Sequence, residues 1–378
     1  MSKVLFCLPR YHTNAIGWVR LLRENGHTVA LHVERIGASE DHSICMPHVM
    51  ALKDGRMISM AGYWQLLRAA DPDIVVVRGL TRRSSRIAAL CALGQRRKLI
   101  VYDQEDPVPP LLSSTWWRRV ICRIAGFGRI TARIAGDANP SIARAVSLPF
   151  AACGPSVRLL EAAKTRIARP TPVPHILMVG KYRERKGHAQ LIAALAQLRD
   201  VHDFRVTFCG EEVSAQDRAM RQQLQAELVA YGLASRARFK ANLDHSAMMA
   251  LYSQHQIFVL PSRDEPAAVS PIESVWNGCA AIVDQHSGTR HYLPASGRFE
   301  FDARDPVSIA AALAPLLTSQ QALRAARLEC LEYLDVLAGD AAVQAAMQQV
   351  GLSEQAKWSG REDSNLRPLP PEDSALPG

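Results

Sequence analysis

Leu260-Pro261-Ser262-Arg263-Asp264-Glu265-Pro266-Ala267-Ala268-Val269-Ser270-Pro271-Ile272-Glu273, continued by Ser274-Val275-Trp276-Asn277-Gly278-Cys279-Ala280-Ala281-Ile282-Val283, holds a strand, a loop, a helix and a second strand in succession. The apolar run Ile257–Leu260 has strand length and is turned by Pro261-Ser262. Pro271–Asn277 reads as a helix closed by Gly278, and Ala280–Asp284 as the next buried strand. Glu265 lies in the loop and Glu273 eight residues on, so two carboxylates flank one helix N-terminus. Its free backbone N–H groups suit a diphosphate, and a carboxylate beside it can accept hydrogen bonds from sugar hydroxyls. Ser270-Pro271-Ile272-Glu273 also reads as a capping box, in which Glu273 only bonds the N–H of Ser270.

Upstream, Ile176-Leu177-Met178-Val179-Gly180-Lys181-Tyr182-Arg183-Glu184-Arg185-Lys186-Gly187 is a strand ending in glycine, then a basic loop entering a helix. Lys181 and Lys186 are placed to neutralise a departing diphosphate. The alternation continues through strands His175–Val179, Arg205–Cys209 and Ala237–Lys240 and helices over 187–198, 215–231 and 246–254. Helical segments over 306–317, 322–337 and 340–350 follow. The first half shows the same rhythm, with strands over 3–8, 28–33, 73–78 and 98–102 and helices over 17–25 and 62–70. Strands alternating with helices mean parallel sheets covered on both faces.

The predicted fold is therefore α/β with two doubly wound, Rossmann-like domains: 1–152, a linker over 153–174 rich in proline near its end, and 175–351. Residues 352–378 lose the apolar period and are expected to be disordered. Glu362-Asp363-Ser364-Asn365 in that tail is what the reverse complement of a transfer-RNA T-arm would encode, which suggests read-through.

The 378 residues carry a net charge of +9, and its distribution is uneven. Residues 1–151 hold 21 Lys+Arg against 11 Asp+Glu, so the basic excess sits in the first half. Such a surface attracts phosphate-rich partners. Trp116–Arg129 adds an apolar stripe flanked by arginines, as in helices lying on anionic membranes or in core helices with a solvated arginine face. Eight scattered cysteines without C-x-x-C spacing, and no apolar run long enough for a signal peptide or a span, point to a cytoplasmic protein with reduced thiols. No nucleic-acid motif accompanies the arginines at 82, 83, 86, 96 and 97. Pro9–Asn14, after the first strand, lacks the G-x-G-x-x-G of a dinucleotide-binding oxidoreductase.

From about 175 to 295 the chain closely resembles the C-terminal domain of GT-B glycosyltransferases of family 4. That pattern is V-G-R, then K-G, then P-S-x-x-E with a second Glu eight positions later. The first half is similar more loosely, through Arg23–Val29 and Asp73–Gly79. The resemblance implies two domains facing a central cleft and a nucleotide-diphosphate sugar as donor, with no other cofactor and no metal. It implies transfer with retention to a glycan or polyprenyl-linked acceptor in cell-surface polysaccharide synthesis. It places the donor diphosphate on Lys181 and Lys186, the transferred sugar on Glu265 and the ribose on Glu273. Ala268, Val269 and Gly288 complete the donor contacts. Lys181 stands where the family has arginine, and Pro266-Ala267-Ala268 where it has a glycine-rich loop. On the acceptor side, Asp103 or Glu105 of Tyr102–Pro107 takes the place of a family histidine; Asp103 joins Glu265 and Lys186 as a candidate catalytic residue. A sugar-nucleotide epimerase of the same fold is the neighbouring alternative. The partners expected are the donor, the acceptor and an anionic membrane surface on the cytoplasmic side, with no nucleic acid.

Overall fold

The computed structural model describes residues 1–11, 13–36, 45–49, 59–79, 82–103, 128–131, 145–147, 157–263, 265, 268–339 and 341. The tail at 352–378, most of the helical segment expected over 340–350, residues 104–127 with Glu105 and most of the basic stripe, and His12 lie outside them.

In the first domain the strands are β1 (Lys3–Arg10), β2 (Thr28–Arg35), β3 (His48–Val49), β4 (Ile74–Arg78), β5 (Lys98–Asp103), β6 (Gly128–Thr131) and β7 (Ala145–Ser147). They form one parallel sheet in the order β3-β2-β1-β4-β5-β6-β7. Its helices are α1 (Thr13–Glu24), α2 (Met60–Ala70) and α3 (Arg83–Gly94). β1 shows why both faces are covered. Leu5 and Cys7 pack with Tyr63 and Leu67 of α2 and Ala88 of α3, whereas Val4, Phe6 and Leu8 belong to the cluster that holds Trp18 and Leu22 of α1. Successive side chains of a strand point to opposite faces, so a run apolar at every position needs a helix on each side. α3 was not expected from the sequence, where its arginines drew attention as charge; its buried face is Ser84, Ser85, Ala88, Ala89, Cys91 and Ala92, small residues with a weak apolar signal.

The second domain repeats the plan. Helix α4 (Val157–Ala168) precedes β8 (His175–Val179), α5 (His188–Leu198), β9 (Arg205–Gly210), α6 (Ala215–Ala230), β10 (Ala237–Ala241), α7 (His245–Ser253), β11 (Ile257–Leu260), α8 (Ser270–Trp276), β12 (Ala280–Asp284), β13 (Glu300–Phe301), α9 (Pro306–Thr318) and α10 (Gln320–Ala338). The sheet is parallel, in the order β10-β9-β8-β11-β12-β13. β11 and β12 are buried along their whole length, as strands inside a doubly wound sheet must be. In both sheets the order reverses between the first and fourth strands, β1/β4 and β8/β11, and ligands of open α/β sheets bind in the crevice at such a switch point. α4 falls within the stretch expected to be a linker, yet it packs on α8 and α10. Ala163 and Ile167 are its buried residues.

Three histidines are held neutral inside this fold. Burial, reinforced by His48, lowers His32 to about 4. Burial and Lys186 do the same to His188, and burial lowers His255 to about 4 although the Leu251 carbonyl opposes it. The unfolded chain takes up these protons below about 6.5 and the folded chain only below about 4. Stability is therefore full above pH 6.5 and is lost as pH falls toward 4, by about 2 kcal/mol per histidine between pH 7 and 5. Urea midpoints across that range should show the slope, and His188→Gln should remove about a third of it. An unchanged slope would place the protons elsewhere.

Candidate functional site

The loops that follow β8 and β11 meet at the carboxyl edge of the second sheet. Gly187 makes the approach possible. Its φ is 77°, and a Cβ there would stand 2.1 Å from the carbonyl oxygen of Pro261. The contact is backbone against backbone, so neither side can swing away. Arg263 N–H donates to the Arg185 carbonyl at 2.9 Å, and the Arg185 guanidinium to the Arg263 carbonyl at 3.3 Å. Gly187→Ala is expected to cost about 3 kcal/mol or more, from left-handed strain plus the clash. Thermal unfolding of that variant close to wild type would show that the two loops need not touch.

At this junction Glu265 Oε2 accepts from Lys186 Nζ, from Ser262 Oγ at 2.8 Å and from Arg185 Nη1 at 3.2 Å. The side chains of Lys186 and Glu265 are only 13% and 14% exposed. Burial by itself would raise the Glu265 carboxyl, but the charge and hydrogen bond of Lys186, with Ser262 and Arg185, hold it below the ordinary glutamate value. Glu265 is thus charged at neutral pH, and the anion is fixed by three donors on one oxygen.

The loop also reaches the turn after β12. Gly288 N–H donates to the Glu265 carbonyl at 2.9 Å. Thr289 Oγ1 accepts from Ala268 N–H at 2.8 Å and donates to the Ala268 carbonyl at 3.0 Å. Glu265, Ala268 and Gly288, separated in sequence, are therefore one backbone-stapled wall. Val269 is the residue before α8, in helical conformation at its N-cap position.

Glu273 does not form the capping box that its spacing allowed. Helix α8 begins at Ser270 with Val269 as N-cap and no side-chain cap, so Glu273 lies a residue deeper and is 9% exposed. Its Oε2 accepts from the hydroxyl of buried Tyr252 at 2.9 Å. Tyr252 belongs to α7, 21 residues earlier, and no motif pointed to it. The available signal was a phenol at the end of the apolar stretch Met248–Tyr252, a polar tip that needs a partner once buried.

Lys181 is elsewhere. It pairs with Glu211 at 2.7 Å, at the ends of neighbouring strands β8 and β9, and both side chains are exposed. Of the two lysines assigned to a diphosphate, the structure brings only Lys186 into contact with Glu265. Arg183, in the same loop, turns to Asp217 and Gln216 of α6. Asp103 ends β5, the carboxyl end of a first-domain strand, and only its backbone is described.

Two doubly wound domains, with a part-buried lysine and glutamate joined at the switch point of the second, define the class of the molecule: it has the GT-B fold. Residues 161–329 match the family model described as glycosyl transferases group 1. The mannosylfructose-phosphate synthase of Agrobacterium fabrum is 26% identical over 116 residues, which are 30% of this chain and 26% of that protein. The chain thus spans about a quarter of that relative's length. Among solved structures, sucrose-phosphate synthase from Thermosynechococcus elongatus superposes with a TM-score of 0.66 at 16% identity, over 93% of this chain and 98% of that one. Anabaena HepE in complex with UDP-glucose does so with 0.69 at 14%, over 93% and 99%. No helix among the described residues is long and apolar enough to cross a membrane.

Proposed function

We propose that the protein transfers a sugar, with retention and without a divalent metal, from a nucleotide-diphosphate sugar to a glycan or polyprenyl-linked acceptor in cell-surface polysaccharide synthesis. The observation that carries this reading is the part-buried junction of Lys186 with Glu265, eight residues before a buried acid, Glu273. An ammonium that already neutralises one anion inside a half-closed site can shift to a diphosphate as charge develops on the leaving group. Glu265, released, then faces the hexose hydroxyls, and Glu273, oriented by Tyr252, accepts from the ribose hydroxyls through its other oxygen. The backbone of Ala268, Val269 and Gly288 lines the same wall.

The first domain supplies the acceptor, with Asp103 at the end of β5 as its candidate catalytic residue. The departing phosphate itself takes the acceptor's proton, which leaves the metal-free route without a separate base on the donor side. The basic excess of residues 1–151 suits an acceptor carried on phosphate and an enzyme working at the inner face of an anionic membrane. Residue types in the donor loops argue in the same direction: arginine and lysine occupy places where a metal-dependent transferase would need carboxylates.

A thermal-shift panel of UDP, GDP, ADP and CMP identifies the base, with UDP first because a UDP-glucose complex shares the fold. Incubation of the matching sugar nucleotide with and without acceptor, in EDTA, then separates the outcomes. Glycosylated acceptor supports transfer, whereas epimerised donor formed without acceptor would replace transfer by epimerisation.

A further inference from the structure

At the opposite edge of the second sheet, the end of α4 and the start of α10 flank a cavity of about 220 Å³, whose lining combines apolar side chains with Arg169, Thr171, Gln320, Gln321, Arg324 and Arg327. Arg169–Thr171 lead into the amino end of β8, whereas Lys186 follows its carboxyl end, so a five-residue strand, roughly 15 Å, separates the cavity from the donor site. No acidic residue lines it.

Arg327 is the anchor. It is 3% exposed, and its one hydrogen bond is from Nε to the Gly278 carbonyl. Beside it, Arg166 donates from Nε to the Asn277 carbonyl at 3.1 Å and keeps a buried Nη2 without a partner. None of Arg166, Arg169, Arg324 and Arg327 has an ion pair among the described residues, although other arginines of this domain find theirs: Arg298 with Glu329, Arg183 with Asp217. Burial holds both guanidinium values down, and a neighbouring arginine adds to it in each case, Arg166 for Arg327 and Arg169 for Arg166. A buried charge without a counter-charge costs several kcal/mol. An apolar side chain of the same reach could fill the space beside Gly278.

The cavity also opens on the first turn of α10, a helix of 19 residues. Its N-cap Ser319 satisfies Ala322 N–H, which leaves the N–H groups of Gln320 and Gln321 without an acceptor inside the helix. Planar guanidinium forks and free amide N–H groups around one small cavity are the donor set of a phosphate site.

We infer that this cavity binds the phosphate group of a small soluble phosphate ester, at a site separate from the sugar-donor site. Arg327 holds the phosphate from within, Arg169 and Arg324 close over it from the surface, and the first turn of α10 donates to it from the side.

The test is calorimetric titration of inorganic phosphate, and then glucose 6-phosphate, into the full chain at constant ionic strength. Wild type and Lys186→Ala should bind phosphate alike, with one saturable site. The surface double variant Arg169→Ala/Arg324→Ala should bind at least about tenfold more weakly, the equivalent of losing one charge-assisted contact. Arg327→Met should abolish the site; should it fail to fold, the surface variant alone decides. Absence of saturable binding by wild type at millimolar phosphate overturns the inference. So does binding that Lys186→Ala removes and the arginine variants retain, since the phosphate would then occupy the donor site.

Discussion

Replacing Glu273 by alanine is expected to weaken binding of the donor nucleotide by roughly 100-fold or more while the protein remains folded. A carboxylate accepting from two ribose hydroxyls in a buried setting contributes about 1.5–3 kcal/mol per bond, because the acceptor is charged and shielded from water. The fold loses the Tyr252 hydrogen bond, about 1 kcal/mol. Calorimetry with the nucleotide selected by thermal shift measures the first quantity and urea unfolding the second. Unchanged nucleotide affinity would reduce Glu273 to a structural partner of Tyr252.

Lys186→Ala should slow transfer by roughly 100-fold, because a cation on a diphosphate leaving group contributes a few kcal/mol at the transition state and less in the ground state. The variant also leaves Glu265 with Arg185 and Ser262 as partners, so stability falls by about 1–3 kcal/mol. The double variant Lys186→Ala/Glu265→Gln separates the two effects: it should recover stability and not turnover. Turnover close to wild type in Lys186→Ala would remove that lysine from the chemistry. Lys181→Ala is the useful contrast. Its charge is exposed and paired with Glu211, so its effect should be smaller.

Much of this arrangement was readable before the fold was seen, for reasons that differ by element. Within β8, β11 and β12 the stretches Ile176–Val179, Ile257–Leu260 and Ala280–Val283 are uninterrupted apolar runs, as strands covered on both faces must be, and the first two exit into glycine or proline. The meeting of Lys186 with Glu265 followed from placing both after the ends of adjacent strands. What local sequence does not encode is the partner each side chain finds and the packing of weakly apolar helices. The capping box at Ser270 and Glu273 had the right spacing, but the helix starts one residue earlier in register than a serine cap requires, and Tyr252 from another helix claims the carboxylate. Lys181 shares a loop with Lys186, and only the turn between them shows that one points to Glu211 and the other inward. α3 hides its packing in alanine and serine, which carry little hydrophobic contrast. α4 sits in a stretch expected as linker, although Ala163 and Ile167 are buried and Leu160 packs against the core.

The measurement that bears most directly on the donor site compares a ribonucleoside diphosphate with its 2′-deoxy analogue, on wild type and on Glu273→Gln, as a double-mutant cycle. Glutamine can still accept from Tyr252, so the local structure is kept and the change is confined to charge. If Glu273 holds the ribose, wild type should prefer the ribonucleotide by about 1–3 kcal/mol and the variant should lose most of that preference. Equal preference in both proteins would contradict the assignment and remove the ribose from α8.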